Sequence, residues 1–211
     1  MFARVVLGSV ASAVVLMVWG FLFWVVIAPG GAMMTTRDET ALRNALNANL
    51  PASGTYRYPL PVTEGKAGND AAAFQAFQEK FRAGPIALIH FTREGAEPLA
   101  ARTLLAGFAQ LLAASLVAGL LLMICLPALG SYLARVLFVL ALGLFAVLTT
   151  RVADPIWYHL PWRFHLHEAL LLLSNWLLAG IVLGAVIKPV RGYRHLTDSD
   201  KPLWKRALEV D

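Results

Sequence analysis

Histidines and acids are concentrated in one short stretch of the chain, Asp154–Glu168. Imidazole nitrogens and carboxylate oxygens are ligands for zinc, copper and haem iron. If this stretch enters a helix, His165 and Glu168 share one face, whereas His167 points to the opposite face. A metal centre here would use His159, His165, His167 and Glu168, and His90 could complete the set.

The same stretch has a second interpretation that needs no metal. Trp157, Tyr158 and Trp162 have amphipathic rings, which favour the headgroup level of a membrane. An acid such as Glu168 is also favourable in the first turn of a helix. The sequence therefore favours an interfacial aromatic belt, with a metal centre as the alternative.

No other segment carries a catalytic signature. The chain has no GxSxG, HExxH, GxGxxG or P-loop motif, which would indicate a nucleophile, a metal ligand pair or a phosphate-binding loop. Cys125 is the only cysteine, so an intrachain disulfide and a CxxC centre are both excluded. We expect no catalytic residue and no cofactor, with metal or haem as the alternative.

Four apolar runs surround these residues and predict the fold class. Only 15% of the chain is charged, against about a quarter in soluble domains. A membrane-spanning helix needs roughly 20 apolar residues; three runs exceed this, and the third can be extended around Arg135. We predict a mainly α integral membrane protein with four transmembrane helices. The runs are Val5–Ala28, Leu104–Leu126, Val136–Thr150 and Phe164–Ile187.

Charge predicts the orientation of the chain. The net charge is +5, and six cations follow the last span. Beside a membrane helix, such a cluster indicates a cytoplasmic anchor on anionic lipid rather than a nucleic-acid site. The first run is longer than the apolar part of a cleaved signal peptide, so we predict an uncleaved anchor. Both termini are then cytoplasmic.

The predicted organisation has four parts: a first transmembrane helix (1–28), a polar insertion (29–102), transmembrane helices two to four (103–190) and a basic cytoplasmic tail (191–211). The insertion would lie outside the cytoplasm, in the periplasm of a bacterium. Its pattern predicts a small α/β unit of order α-β-α-β.

Local signals place the elements of that insertion. Thr36, followed by Glu39, fits a capping box at the start of the first helix, and Pro51 ends that helix. Alternation and strand-forming residues predict strands at Gly54–Pro59 and Pro85–Thr92, which could pair.

The second helix of the insertion, capped by Asp70, carries Phe74, Phe77 and Phe81 at helical spacing. Two short helices and two strands bury little apolar area, and such small units often need a disulfide, a metal or a partner. We expect the phenylalanine stripe to pack on the strands, with docking of another subunit as the alternative. Either way, the insertion leans on the membrane helices or on a second protein.

Short segments across the chain resemble a family of bacterial four-span inner-membrane proteins that have a periplasmic insertion after the first span. The segments are Val18–Phe21, Gly54–Pro59, Gly84–Pro85 and Ile156–Pro161. The resemblance implies the same four-span architecture and location in a bacterial inner membrane. It implies no activity and no functional residue.

The spans themselves are poor in ionisable residues, which argues against an ion-coupled transporter. Gly8 and Ser12 form a small-xxx-small pattern that allows close helix packing, within the chain or with a partner. Gln110 and Asn175 are expected to hydrogen bond between helices. A cavity for a lipid or small molecule has no polar cluster to support it.

These features predict a non-enzymatic accessory or scaffold subunit of a larger membrane assembly, such as a respiratory or photosynthetic complex. Its partners would be the lipid bilayer and either other membrane subunits or a second copy, but no nucleic acid. The alternative is a metal- or haem-binding redox protein that uses the histidine stretch. The expected contact residues are Gly8, Ser12, Phe74, Phe77, Phe81, Trp157 and Trp162.

Overall fold

A computed structural model describes residues 1–27, 33–61 and 71–189. The protein is mainly helical. The helices are α1 (Phe2–Leu22), α2 (Glu39–Asn49), α3 (Ala71–Ala83), α4 (Ala101–Cys125), α5 (Tyr132–Thr149), α6 (Ala153–Tyr158) and α7 (Trp162–Val186), and the strands are β1 (Gly54–Tyr58) and β2 (Ala87–Phe91). Helices α1, α4, α5 and α7 are long and apolar enough to cross a membrane, which confirms the prediction of four spans.

The ends of the spanning helices differ in detail from the apolar runs. Helix α1 continues as a π-helical turn over Phe23–Ile27, and α5 begins at Tyr132, so it includes Arg135. The stretch predicted as an interfacial aromatic belt contains the short helix α6. The residue after this helix, His159, is in the left-handed conformation, with φ of 56° and ψ of 35°. Histidine adopts this conformation more readily than most side chains.

The chain divides into two compact units. The first contains the membrane-spanning helices. The second is formed by the described residues of Gly30–Pro98 together with Thr150–Leu166. The tail predicted at 191–211 and the helix cap predicted at Asp70 lie outside the described residues.

Glycines allow the spanning helices to approach one another closely. A Cβ at Gly8 would lie 3.4 Å from Leu183 and Val186 of α7, and one at Gly119 would lie 3.1 Å from Val5 of α1. In lipid, such close packing replaces the hydrophobic drive that holds soluble helices together. The buried cluster at the centre of this unit is formed by Val5, Leu16, Ala118, Leu122, Leu126, Val139, Ala179, Leu183 and Ile187.

Hydrogen bonds also join the spanning helices. Ser115 Oγ donates to Ser12 Oγ at 3.2 Å between α4 and α1. Arg4 Nη1 donates to the carbonyl oxygen of Lys188 at 3.3 Å. The start of α1 therefore lies beside the end of α7, as an even number of spans requires.

The second unit contains an antiparallel two-stranded sheet. Gly54 pairs with Phe91 and Tyr58 with Ala87, so the predicted pairing of the two strands is confirmed. Helix α2 begins later than the capping box suggested: Asp38 is the N-cap, and its Oδ1 accepts from the Ala41 amide at 2.8 Å. The Asp38 carboxylate takes the capping role that was expected of the Thr36 hydroxyl, for a helix that begins two residues later.

A short hydrogen-bonded chain fixes the end of β2 to the segment before β1. The Arg93 amide donates to Ser53 Oγ at 2.9 Å, and Ser53 Oγ donates to Glu94 Oε2 at 2.7 Å. The hydrogen bond from Ser53 holds the pKa of the Glu94 carboxyl below its ordinary value of 4.5, with help from a backbone hydrogen bond and the positive charge of Arg93. The Glu94 carboxyl is fully exposed.

We expect Glu94 to titrate with a midpoint below 4.5 and the Ser53→Ala variant to raise that midpoint. Because the folded pKa is lowered, the stabilising contact is present above the unfolded pKa and is lost as pH falls through the folded pKa. Carbon-13 NMR of labelled glutamate carboxyls in micelles measures both midpoints. An unchanged midpoint in Ser53→Ala would show that the hydroxyl does not hold the carboxylate.

Candidate functional site

The histidine stretch contains one buried histidine, which lies close to a partly exposed acid. His165 is only 6% exposed, and its Nδ1 lies 3.8 Å from Oδ2 of Asp154. That distance suits an ion pair but exceeds a hydrogen bond. The contact joins α6 to the first turn of α7.

The other candidate ligands lie apart from this pair. The His159 ring packs edge-on against Phe81, with centroids 5.3 Å apart, and His90 Nδ1 is 3.0 Å from Thr55 Oγ1 across the sheet. His167 and Glu168 follow on α7, where each already has interaction partners. Across residues 1–27, 33–61 and 71–189, no three histidine, cysteine or acidic side chains converge in a way that could hold a metal ion.

A metal ion therefore has no preformed cluster of three ligands in the described residues. The redox alternative requires bound metal, or a Soret band, in the purified protein. Metal analysis and an absorption spectrum of one sample measure both.

The aromatic residues of this stretch face outward. Trp157 is 75% exposed and Trp162 is 47% exposed. Tyr158 is also exposed, and its ring lies under the guanidinium of Arg57 of β1, 5.6 Å from the ring centroid. Outward indole rings next to a spanning helix have the placement that a membrane-interface belt requires.

The predicted contact residues of the first span lie inside the chain. Gly8 faces α7, and Ser12 is fully buried against Ser115 of α4. Both therefore serve packing among the spanning helices, one of the two roles expected for this pattern.

The phenylalanine stripe of α3 lies partly open. Phe77 packs against Phe74 and Phe81, with centroids 6.5 Å and 5.6 Å apart. Phe81 continues onto His159, whereas Phe74 is 47% exposed. One end of the stripe thus packs within the second unit, and the other end is open.

A deep groove opens between α1 and α4 in the half of these helices nearest Ile27 and Ala101. Its volume is about 420 Å³. Nearly all of its wall is apolar, with one amide at the side formed by α7. Its lining residues are Leu16, Met17, Gly20, Phe21, Trp24, Val25, Thr103, Leu104, Gly107, Leu111 and Asn175.

Two glycines distinguish this groove from the packed helix contacts. A Cβ at Gly8, Gly119 or Gly143 would contact a neighbouring helix within 3.4 Å, whereas one at Gly20 or Gly107 would meet nothing within 4 Å. Glycine in a helix interior costs roughly 0.5–1 kcal/mol relative to alanine. Gly20 and Gly107 have no close contact that offsets this cost within the described chain.

Asn175 gives the groove its only amide. Its Oδ1 is buried and has no hydrogen-bond partner among the described residues. The neighbouring Ser174 is held in place, because its Oγ accepts from Trp19 Nε1 at 2.8 Å. A buried acceptor without a donor is unfavourable, so the groove is suited to a neighbour that supplies one.

The π-helical turn of α1 lies beside this groove. Trp24 and Val25 belong to the turn and also line the groove. π-helical turns are rare and are frequently found at functional sites. The sequence predicted that Asn175 would hydrogen bond between helices. It gave no sign that Gly20 and Gly107 would line the same groove as Asn175.

No protein-family model matches the chain, and no curated protein and no solved structure shows significant similarity to it.

Proposed function

We propose that this protein is a non-enzymatic accessory subunit of a larger membrane assembly, and that its second unit docks on a partner outside the cytoplasm. One observation carries the proposal. Within 33–61 and 71–98, no residue of α2, α3, β1 or β2 is buried, and Pro59, which follows β1, is the one buried side chain. These elements therefore have no hydrophobic core of their own.

A unit of this size cannot compensate for the missing core by itself. Small domains depend on disulfides, metals or partners when their buried apolar area is low. Cys125 is the only cysteine and lies in α4, which excludes an internal disulfide. The membrane helices or a protein partner remain as the means of covering the unit, and we propose the partner.

Apolar side chains are available for that partner. Leu42 of α2 is 44% exposed, Phe74 of α3 is 47% exposed, and Leu60 after β1 is 72% exposed. Aromatic residues that insert into a partner commonly dominate the binding energy of an interface. Phe74 is therefore the main contact residue that we propose.

The position of basic residues supports the proposed orientation. Arg4, Arg135 and Lys188 lie at the same end of the spanning helices, since Arg4 bonds the Lys188 carbonyl and Arg135 bonds carbonyls of the turn after α4. Five more cations follow Lys188 in the sequence, whereas the opposite ends carry Arg102, Arg151 and Arg163. Positive charge near span ends marks the cytoplasmic side. The insertion, at the other ends of α1 and α4, would then be periplasmic in a bacterial inner membrane.

The spans offer little support for transport or catalysis. Among the residues that the structure describes, Arg135 and His165 are the only buried ionisable side chains. Each is the fourth residue of its helix, near a membrane surface. Proton and ion pathways place ionisable groups deeper in the membrane.

Site-specific photo-crosslinking in native membranes tests the docking surface. A photo-reactive residue at Phe74 should give one discrete adduct with a single membrane protein, which should also co-purify with the unmodified chain. The matched control is Ala76, which is exposed on the same helix but about 160° around it.

Ala76 should give no such adduct. Equal adducts from both positions, or none from Phe74, would contradict the proposed docking surface.

A further inference from the structure

We infer that a second copy of this chain occupies the groove between α1 and α4, with Gln110 of each copy hydrogen bonded to Asn175 of the other. This interface lies in the membrane-spanning unit. It is separate from the docking surface on α3.

The depth of Asn175 identifies the kind of neighbour that can reach it. Asn175 lies thirteen residues after Trp162 and eleven before Val186, so it is near the middle of its span. Helix α7 has 25 residues and is about 37 Å long at 1.5 Å per residue. Its middle therefore lies near the centre of a hydrocarbon layer about 30 Å thick. Lipid headgroups do not reach this depth, and acyl chains carry no hydrogen-bond donor. A side chain of another transmembrane helix can supply one.

This chain presents such a side chain at the same depth. Gln110 of α4 is exposed and makes no hydrogen bond within the described part of the chain. Its neighbour Leu111 lines the groove together with Asn175, so the two amides are at one level. In lipid, the Gln110 amide has no water to hydrogen bond with. A hydrogen bond to an amide of a second chain is therefore favourable.

A two-fold axis along the membrane normal would pair these amides. Such an axis keeps both copies in the same orientation and at the same depth in the membrane. Gln110 of one copy is then at the same depth as Asn175 of the other. Gln110 lies three residues after Gly107 and is therefore on the same side of α4 as the groove wall. Donor and acceptor thus lie on one self-complementary face.

The two open glycines provide the space for this contact. Neither Gly20 nor Gly107 is covered by the chain itself. Small residues at a membrane interface let two helix backbones approach closely. The α4 helix of the second copy can therefore enter the groove far enough for the amides to meet.

Energy transfer between two labelled populations of the full chain in lipid vesicles, measured at increasing lipid dilution, tests the inference. The wild-type chain should dimerise. Gln110→Leu and Asn175→Leu should each weaken dimerisation, by roughly 3- to 20-fold for each amide pair lost. Because the vesicles contain only this chain, the result does not depend on the partner proposed above.

Mixing the two variants gives the decisive comparison. A heterodimer of Gln110→Leu with Asn175→Leu retains one intact pair of amides, whereas each homodimer retains none. The heterodimer should therefore be tighter than both homodimers, which no folding defect of either variant can produce. A heterodimer no tighter than the homodimers would overturn the inference, as would a monomeric wild-type chain.

A steric variant checks the position of the interface. Gly107→Leu should fill the groove and reduce dimerisation, with the circular dichroism spectrum unchanged. The matched control is Leu144→Phe on α5, an exposed site that does not line the groove. Equal dimerisation by Gly107→Leu and the control would place the contact elsewhere and overturn the inference.

Discussion

Gly143→Ala is expected to destabilise the helical unit by about 2–4 kcal/mol, at or above the upper part of the usual range for overpacking. A Cβ at this position would lie 2.4 Å from both Cβ and Cγ of Trp176. Rotation of the indole cannot relieve this clash, because the Trp176 Cβ is fixed to the backbone of α7. Helices α5 and α7 would have to separate. Gly180→Ala should act similarly, since its Cβ would lie 2.9 Å from the Val136 carbonyl oxygen.

Reversible unfolding in mixed micelles, at a detergent excess that keeps the chain monomeric, measures the effect, with Gly107→Ala as the matched control. A Cβ at Gly107 meets nothing within 4 Å, so this variant should be neutral, or more stable by up to about 1 kcal/mol. If Gly143→Ala and Gly107→Ala unfold at the same denaturant concentration, α5 and α7 do not pack as described.

Arg135→Met is expected to lower the free energy of unfolding by about 2–4 kcal/mol, because hydrogen bonds from a charged donor are worth more than neutral ones. Arg135 is buried, and its Nε donates to the Gly184 carbonyl at 3.0 Å. Its Nη1 donates to the carbonyls of Leu129 and Gly130, each at 3.2 Å. One side chain thus ties the turn between α4 and α5 to the end of α7.

The planar guanidinium makes this arrangement specific to arginine. Arg135→Lys keeps the charge but cannot reach three carbonyls in fixed directions, so its loss should be intermediate. Arg102→Met, at an exposed position near the start of α4, is the control and should change stability by less than about 0.5 kcal/mol. An Arg135→Met protein as stable as this control would show that the three hydrogen bonds contribute nothing.

The spans were predictable because lipid imposes a simple length requirement. A helix that crosses the membrane needs a long apolar run, and each predicted run lies within a few residues of the corresponding helix in the structure. The extension of the third span through Tyr132 was also predicted, because one arginine near a helix end can reach the surface. The two strands were predicted from their alternating, strand-forming residues.

The packing of the spans was not predictable from the same pattern. In a soluble helix, polar and apolar faces show which side is buried. In lipid, leucine and valine suit both the lipid-facing side and the packed side, so this signal disappears. The sequence therefore did not show that Gly143 faces Trp176, or that Gly107 faces an open groove.

The candidate sites show the same contrast between residue types, which were predictable, and packing, which was not. His159, His165 and His167 are close in sequence, but local helix geometry and the contact of His159 with Phe81 keep them from converging. Asn175 and Gln110 were predicted to hydrogen bond between helices, and this prediction rested only on their being amides within apolar spans. That both lack a partner became visible only when the rotation of α4 and α7 was known.

The central claim is that this chain works as a subunit of a larger assembly. Gentle extraction from native membranes, followed by particle mass and mass spectrometry of the same fraction, tests it most directly. We expect a stoichiometric complex that contains at least one other membrane protein, and we expect less of this complex to be recovered when Phe74 is replaced by serine. A particle that contains only this chain, with its second unit stably folded, would contradict the claim.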